Sequence, residues 1–405
     1  PQQRRTMNAR VLLACVAVLP QLGGCVRSAP NGGQARGQLS RRSAVGLVPA
    51  IGSALPAALG AASPLLQPAA PAFAASGKSA LQIPDFGIGA WAWGDSLFWG
   101  YDSKRDGDLR EVFDYTVSEG VKFFDTAEVY GIGRSETLLG DFCKANPGAA
   151  DVRIATKFAA LPWRTKPETV LAAARKSADR LGRPIDLYQI HFPGAWANEA
   201  YWDGLAQAVD EGLVGAAGVS NYGKDALRAC HAKLASRGIP LVSNQIQLSL
   251  LYPFCLSNGL KAACDDLGVR VLAYSPLCLG LLTGKYTETN LPSGPRKALA
   301  QKALADPGYK QLMATLTEVG AQGHSGASPA QVALAWTIAK GTTPIPGART
   351  LSQAKSNLAA RKLVLSTKEV QQLDAASAAV TPILSPDANP FPKVDKDTGL
   401  RMYDS

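Results

Sequence analysis

The sequence predicts a (β/α)8 barrel, and three features of the chain from residue 85 onward lead to that prediction. Short apolar runs alternate with longer segments of helical periodicity. Eight such runs occur, and most of them start about 26 to 34 residues apart, whereas a barrel of about 250 residues divides into units of about thirty. The runs are continuously apolar, which is typical of strands covered on both faces in a parallel sheet.

The eight apolar runs are the predicted strands. They occupy residues 87–94, 121–127, 152–158, 185–192, 214–221, 241–249, 270–276 and 342–347. A long insertion follows the seventh run at about residues 275–306, and its Gly and Pro residues indicate a functional loop. A doubly wound open sheet has the same alternation of strands and helices and is the competing prediction. Against it, the first run lacks the G-x-G-x-x-G turn of a Rossmann nucleotide site.

Two of the intervening segments have clear helix signals. In residues 108–120 the apolar spacing predicts one buried face, formed by Leu109, Val112, Phe113 and Val117. Gly120 then stands where a helix is expected to end. In residues 165–182, Thr165 and Glu168 have the spacing of a capping box, which predicts a helix start at Thr165.

The charge of the chain is concentrated at its beginning. The whole sequence has a formal net charge of +10, and residues 1–75 contain seven Arg but no Lys, Asp or Glu. The remaining 35 basic and 32 acidic residues leave a net charge of +3. Because the body is nearly neutral, we expect no nucleic-acid partner.

Residues 1–75 are rich in Ala, Gly, Pro and Ser and lack acidic residues. This composition predicts a disordered, cleavable targeting presequence, followed by a barrel domain at residues 76–405. The apolar core from Val11 to Leu19 is too short to span a bilayer and suits a cleaved signal. No stable membrane span is therefore expected in the mature chain.

Two further signals leave the destination of the presequence open. Arg41 and Arg42 precede a second apolar stretch, which ends in an A-x-A cleavage pattern at Ala72 and Ala74. The succession resembles the composite presequence of a plastid protein, directed to the chloroplast stroma, the thylakoid or the thylakoid lumen. The alternatives are a single Arg- and Ala-rich transit peptide, and a bacterial lipoprotein signal that ends at Cys25.

The cysteines of the body give no sign of a metal site or a disulfide framework. They are odd in number and lack C-x-x-C spacing: Cys143, Cys230, Cys255, Cys264 and Cys278. We expect buried free thiols, which favour a reducing compartment over the lumen.

Polar residues gather at the carboxyl ends of the predicted strands, where the chemistry of a barrel is located. Asp125 and Tyr130 follow the second strand, Lys157 ends the third and His191 ends the fourth. Later strand ends contribute Ser220, Asn221, Gln245, Tyr274 and Ser275. Each residue alone has an ordinary explanation as a turn, cap or core residue. Four of them at successive strand and loop ends predict a catalytic site instead.

The first four side chains suit proton donation. A Lys157 inside the barrel needs a partner, because an isolated buried charge is very costly, and Asp125 provides one. The Lys157 ammonium stabilises phenolate and is expected to lower the pKa of Tyr130 from about 10. His191 is placed to orient a substrate carbonyl. A Schiff-base aldolase that uses Lys157 is disfavoured, because Asp125 would keep the amine charged.

Eight stretches within residues 82–380 together carry a family resemblance: "FFDTAEVYG", "IATKF", "QIHFPG", "GVSNY", "SNQIQLSL", "AYSPL", "GLLTGKY" and "IPGARTLSQAKSN". With them the sequence resembles the aldo-keto reductase superfamily. The stretches "ALPWR" (160–164) and "SGPR" (293–296) resemble its plant and algal plastid branch, in agreement with the presequence.

The resemblance implies a reaction and a catalytic tetrad. The reaction is reversible hydride transfer from NADPH to an aldehyde or ketone, with Tyr130 as the general acid. Lys157 and Asp125 would tune Tyr130, and His191 would position the carbonyl. No metal is implied.

The resemblance also implies where NADP(H) is bound. The nicotinamide contacts, including a stacking aromatic ring, fall on Ser220, Asn221, Gln245 and Tyr274. The loop over the pyrophosphate contributes Ser275, Leu277, Gly284 and Lys285. The adenosine-phosphate segment contributes Gly347, Arg349, Gln353 and Asn357.

The adenosine-phosphate segment departs from the commonest family pattern. Gly347 stands where a Lys is often found, Gln353 where an Arg is, and Ser356 where a Glu is. Arg349 has a planar fork suited to a 2′-phosphate. NADP is therefore favoured over NAD, with a weaker preference expected.

The leading interpretation is an NADP-dependent carbonyl reductase of a plastid that acts on a small-molecule carbonyl. The alternative is a nucleotide-binding regulatory or structural subunit with the same fold, which a lumen location would favour because a lumen has no obvious NADPH supply. The sequence leaves open whether the protein is a monomer or a homo-oligomer, and whether it associates with a plastid complex. Ordinary packing at the rim explains aromatic residues there as well as substrate binding does. As the binding interpretation, six aromatic residues are expected to line the mouth and to favour an aromatic or apolar carbonyl: Trp91, Trp93, Phe98, Trp99, Trp163 and Trp196.

Overall fold

Eight parallel strands are hydrogen-bonded to one another in chain order. The computed structural model describes residues 81–194, 197–294 and 296–383. The strands are β1 (Ile88–Gly89), β2 (Phe123–Asp125), β3 (Arg153–Phe158), β4 (Ile185–Ile190), β5 (Val214–Ser220), β6 (Leu241–Gln247), β7 (Arg270–Tyr274) and β8 (Thr343–Pro344). Helices connect these strands, so the predicted (β/α)8 barrel is confirmed.

The helices fall between the strands as the alternation predicted. In the described residues they are α1 (Asp106–Ser118), α2 (Arg134–Ala145), α3 (Pro167–Leu181), α4 (Asn198–Asp210), α5 (Lys224–Ala235), α6 (Phe254–Ser257), α7 (Leu260–Asp266), α8 (Arg296–Ala305), α9 (Pro307–Gly323), α10 (Pro329–Ala339), α11 (Leu351–Ala359) and α12 (Thr367–Ala378). None of them is long and apolar enough to cross a membrane. The predicted presequence, residues 1–75, lies outside the residues described.

The barrel closes where β1 meets β8. The backbone N–H of Gly87 donates to the carbonyl of Pro344, and that of Gly89 donates to Pro346, both over 3.1 Å. Because Pro344 and Pro346 have no N–H, they can only accept, and Gly87 and Gly89 donate in these two bonds. Both strands are shorter than the predicted runs 87–94 and 342–347, because the chain already turns after Gly89 and the prolines cannot extend the ladder.

A layer of apolar side chains fills the barrel interior. Strands β2 to β7 contribute one residue each and Ile345 follows β8, so the layer consists of Phe123, Ala155, Leu187, Ala216, Val242, Leu272 and Ile345. Side chains two residues apart on a strand point to the same face. The next inward positions on β2, β3 and β4 are therefore Asp125, Lys157 and Gln189. A polar layer thus lies directly above the apolar one, at the carboxyl ends of the strands.

The two helices with clear sequence signals differ in how well their starts were predicted. In α1, Leu109, Val112, Phe113 and Val117 are buried as expected, and Gly120 follows the helix with a φ of 78°. The predicted capping box at Thr165 is wrong. Helix α3 begins at Pro167 instead, because proline fits the first helical position, where its missing N–H costs nothing. No side chain caps this helix.

The predicted loop at about residues 275–306 contains regular structure. A 3₁₀ segment spans Cys278–Thr283, and helix α8 occupies the end of the loop. The five body cysteines are free thiols as expected; Cys143 is partly exposed and the other four are buried.

The seam of the barrel tolerates no side chain at position 89. A Cβ added to Gly89 would lie 2.8 Å from the carbonyl oxygen of Ile345, which is backbone and cannot move aside. We therefore expect Gly89→Ala to lower the free energy of unfolding by about 2 kcal/mol, measured by urea denaturation.

A matched control is Gly107→Ala, which adds the same atom in the first turn of α1. There the new Cβ meets no atom within 4 Å. This variant is expected to be as stable as the wild type, or more stable by about 0.5–1 kcal/mol. Equal stability of the two variants would contradict the close approach at the seam.

Candidate active site

A buried ion pair lies at the centre of the polar layer. Lys157, on β3, donates from Nζ to Oδ1 of Asp125, at the end of β2, over 2.5 Å. The Lys157 side chain is fully buried and that of Asp125 is 3% exposed. The pairing arises because β2 and β3 are adjacent, with Asp125 in register with Ala155. The sequence predicts this pair, and the structure brings its two members together.

The Lys157 ammonium uses all three of its N–H donors. Besides Asp125, it donates to the carbonyl oxygen of Thr126 over 2.8 Å and to the hydroxyl of Tyr130 over 3.4 Å. Its nitrogen also lies 4.9 Å from the centroid of the Tyr130 ring. Burial lowers the pKa of Lys157, and the carboxylates of Asp125 and, with less effect, Glu136 oppose that shift. The ammonium therefore depends on Asp125 for its charge.

The second carboxylate oxygen of Asp125 is held by two amides. Gln245, on β6, donates to Oδ2 over 2.7 Å, and Gln189, on β4, donates to it over 3.1 Å. The family resemblance implies that Gln245 is a nicotinamide contact, whereas no sequence pattern singled out Gln189. A polar residue within the apolar run of β4 was the available signal.

His191 follows β4 and faces the Tyr130 ring edge-on, with the ring centroids 5.7 Å apart. Desolvation and the nearby Lys157 ammonium hold the pKa of His191 well below its ordinary value. The imidazole is therefore neutral at physiological pH. It can donate or accept one hydrogen bond without adding a second positive charge beside Lys157.

These residues surround one end of a cavity of about 780 Å³ at the carboxyl ends of the strands. Tyr130, His191 and Asp125 line it, whereas Lys157 lies behind the wall. Eleven of the predicted cofactor residues also line it: Ser220, Asn221, Gln245, Tyr274, Ser275, Leu277, Lys285, Gly347, Arg349, Gln353 and Asn357. Gly284 does not. With a φ of 75° it forms the turn before Lys285.

Three polar side chains at the ends of β5 and β7 form a connected network. The Ser220 hydroxyl donates to the backbone carbonyl of Gln245 over 2.8 Å. Asn221 donates to the Ser220 hydroxyl over 3.0 Å and accepts from the Tyr274 hydroxyl over 3.0 Å. The backbone of Asn221 has a φ of 60°, a conformation that asparagine tolerates better than most residues. The network fixes the amide and the aromatic ring in one arrangement on the cavity wall.

Arginine side chains collect around Trp99 at the other end of the cavity. The guanidinium carbons of Arg296 and Arg349 lie 4.8 and 5.4 Å from the Trp99 ring centroid. Desolvation, followed by repulsion from Arg296 and Arg105, lowers the pKa of Arg349. Within the described ranges, no carboxylate forms an ion pair with Arg296 or Arg349. Arg349 was predicted from the sequence, whereas Arg296 was not; the fold brings Arg296 here from the start of α8.

Aromatic rings line the cavity beside Tyr130. The Trp91 ring is stacked on Phe98, with the ring centroids 5.0 Å apart, and is edge-on to Trp99, with the centroids 5.4 Å apart. Its centroid lies 6.1 Å from that of the Tyr130 ring. Three of the six aromatic residues expected at the mouth thus line the cavity.

The other three aromatic residues do not confirm that expectation. The prediction for Trp93 is wrong, because this residue is buried in the core, where its indole donates to the carbonyl of Ala348. The prediction for Trp163 is also wrong, because this side chain is 55% exposed and does not contribute to the cavity wall. Trp196 lies outside the described residues.

Comparisons with known proteins identify the family of this chain. The sequence matches the pattern of the aldo/keto reductase family over residues 85–378. The chloroplastic pyridoxal reductase of Arabidopsis thaliana is 41% identical over 314 residues, which cover 73% of this chain and 84% of that protein. The chain therefore belongs to the aldo/keto reductase family, and its class is that of an oxidoreductase.

Solved structures show the same fold. A thermostable aldo-keto reductase in complex with the inhibitor epalrestat has a TM-score of 0.59 and 28% identity, covering 73% of this chain and 95% of that one. An aldo-keto reductase from Klebsiella pneumoniae in complex with NADPH has a TM-score of 0.57 and 22% identity, covering 72% and 90%.

The neutral His191 makes stability depend on pH. The unfolded chain protonates this residue below about pH 6.5, whereas the folded protein keeps it neutral to a lower pH. Since the unfolded state then binds more protons, the free energy of unfolding falls as the pH falls below about 6.5. We expect the wild type to lose about 1 kcal/mol per pH unit relative to His191→Gln between pH 6.5 and 5. Parallel stability curves from denaturant titrations would contradict a neutral His191.

Proposed function

We propose that the protein is an NADPH-dependent reductase that converts an aldehyde or ketone to the alcohol. One observation carries the proposal. The Tyr130 hydroxyl, at the cavity wall, accepts from a buried ammonium whose charge depends on a buried carboxylate. Such an arrangement stabilises the phenolate that proton donation leaves behind.

Each residue of the tetrad has a separate part in the proposed reaction. The nicotinamide, when bound, supplies a hydride to the carbonyl carbon. Tyr130 donates its proton to the carbonyl oxygen, so that the products are an alcohol and the oxidised cofactor. Lys157 stabilises the resulting phenolate, and Asp125 keeps Lys157 charged. His191 remains neutral and hydrogen-bonds the carbonyl oxygen, which orients the substrate.

The residues at the far end of the cavity fit a phosphorylated dinucleotide. Among the described residues, Arg296 and Arg349 have no carboxylate partner, and the buried Nε1 of Trp99 has no hydrogen-bond partner. These groups would satisfy a phosphate, which carries charge and several acceptor oxygens. The network of Ser220, Asn221 and Tyr274 would hold the nicotinamide.

Arg296 also bears on the departure of the adenosine-phosphate segment from the family pattern. Gly347 and Gln353 replace residues that are often positively charged. We infer that Arg296 supplies positive charge for the 2′-phosphate in their place, together with Arg349, and thereby favours NADP over NAD.

The proposed substrate and location follow from the Arabidopsis relative. That protein is named a chloroplastic pyridoxal reductase. We propose that a heteroaromatic aldehyde such as pyridoxal binds here beside Trp91 and Tyr130. We also propose that residues 1–75 direct the protein to a plastid, with the barrel domain at residues 76–405 acting in the stroma, where buried free thiols stay reduced.

The proposed general acid is tested by Tyr130→Phe, which removes one hydroxyl. We expect kcat with NADPH and a panel of aldehydes and ketones to fall by at least about 100-fold. NADPH binding, measured by fluorescence titration, should be little changed. Tyr115→Phe, on the outer helix α1, is the matched control and should retain wild-type kcat.

Two results would contradict this proposal. Full activity of Tyr130→Phe would show that Tyr130 is not the general acid. A wild-type protein that binds NADPH but reduces no carbonyl would favour the regulatory subunit instead.

The proposed phosphate site is tested by Arg296→Met and Arg349→Met. Loss of a charged hydrogen bond to phosphate should raise the KM for NADPH about 10-fold in each variant. The KM for NADH, which lacks the 2′-phosphate, should change much less. Arg110→Met on α1 is the control. An equal change for NADPH and NADH would assign these arginines to another part of the cofactor.

A further inference from the structure

Asp95 places a carboxylate in the aromatic part of the cavity. It lies in the loop after β1 and lines the cavity wall. Its Oδ2 accepts from the Trp91 indole over 3.0 Å, and its Oδ1 accepts from the backbone N–H of Phe98 over 2.9 Å. The Trp91 ring that Asp95 holds lies 6.1 Å from the Tyr130 ring, measured between ring centroids.

No positive charge neutralises Asp95 in the part of the chain that the structure describes. The basic residues that line the cavity are Lys285, Arg296 and Arg349, all from the segments after β7 and β8. Trp99, which is edge-on to Trp91, lies between the aromatic wall and the two arginines. The cavity is therefore divided into a basic end and an acidic, aromatic end.

The charges nearest to the reacting centre do not change this division. Lys157 lies behind the wall and is paired with Asp125. His191 is neutral. An aldehyde bound against Trp91 would therefore lie beside the Asp95 carboxylate, which accepts from the Trp91 indole.

Asp95 also retains hydrogen-bonding capacity. Each carboxylate oxygen has two lone pairs, and each oxygen of Asp95 accepts one described bond. A substrate hydroxyl or protonated ring nitrogen can donate to a remaining lone pair. A substrate phosphate or carboxylate cannot, and it is repelled by the like charge.

We propose that Asp95 determines substrate specificity, selecting aromatic aldehydes that carry a hydrogen-bond donor and no anionic group. This inference rests on the proposed reductase function and deepens it. It predicts that pyridoxal is a better substrate than pyridoxal 5′-phosphate, although a phosphate would suit the basic end of the same cavity. Asp95 determines which aldehyde binds, whereas Tyr130 donates the proton in the reaction.

A purely structural role for Asp95 makes a different prediction. If the carboxylate only held Trp91 and Phe98 in place, its loss would affect all aldehydes alike. Asp95→Asn separates the two roles, because the amide retains one acceptor oxygen and nearly the same shape but has no charge.

The experiment measures kcat/KM with NADPH for two matched pairs of aldehydes. The pairs are pyridoxal with pyridoxal 5′-phosphate, and benzaldehyde with 4-carboxybenzaldehyde. We expect the wild type to prefer the non-anionic member of each pair. In Asp95→Asn both ratios should shift towards the anionic member by about 10-fold, as expected for a charge a few ångströms away.

The matched control is Asp85→Asn, which removes the same charge from the opposite end of the barrel. Asp85 precedes β1 and pairs with Arg270 at the start of β7. Its loss should leave both ratios at their wild-type values. A shift of equal size in this variant would assign the effect to net charge and overturn the role of Asp95.

The remaining outcomes distinguish failure of the role of Asp95 from failure of the proposed reductase function. Unchanged ratios in Asp95→Asn, or a wild type that prefers the anionic aldehydes, overturn the inference while the reductase function stands. Reduction of the benzaldehyde pair with the expected shift, but of neither pyridoxal compound, supports the role of Asp95 and rejects pyridoxal as substrate. A wild type that reduces none of the four rejects the inference together with the proposed function for these aldehydes.

Discussion

The ion pair between Lys157 and Asp125 is the interaction on which the rest of the site depends. Removing one member of a buried pair costs about 3–5 kcal/mol, because the other charge is left without compensation. The protein meets this constraint with hydrogen bonds on all sides, since Lys157 has three acceptors and Asp125 also accepts from two amides. Tyr130 is one of those acceptors. The same geometry that makes the buried charges tolerable therefore places an ammonium beside a phenol.

The barrel makes this arrangement available through the two-residue repeat of its strands. Phe123 and Ala155 face inward in the apolar layer, and Asp125 and Lys157 face inward one level higher. Water is excluded from below by the apolar layer, and the cavity opens above. The depressed pKa of His191 follows from the same position, next to Lys157 and away from bulk water.

The cavity joins two electrostatic environments on one protein surface. Arginines from the segments after β7 and β8 meet around Trp99, and Asp95 stands in the aromatic wall after β1. A phosphate favours the first environment, and an uncharged, hydrogen-bond-donating ring favours the second. Cofactor and substrate can thus be distinguished by charge as well as by shape.

The sequence by itself determined the barrel and the Asp125–Lys157 pair, because strand periodicity and strand-end position are local properties of the chain. Its family resemblance supplied the predicted cofactor residues, eleven of which line the cavity. Capping-box spacing at Thr165 misplaced the start of α3, which begins at Pro167. The positions of Trp93 and Trp163 were also predicted wrongly, since local patterns do not reveal whether an aromatic side chain points to the core, the cavity or the solvent. The tertiary structure alone decided that Gln189 holds Asp125, that Arg296 joins Arg349, and that Asp95 forms no ion pair within the described residues. These relations connect strands and loops far apart in the chain, and only closure of the barrel brings them within bonding distance.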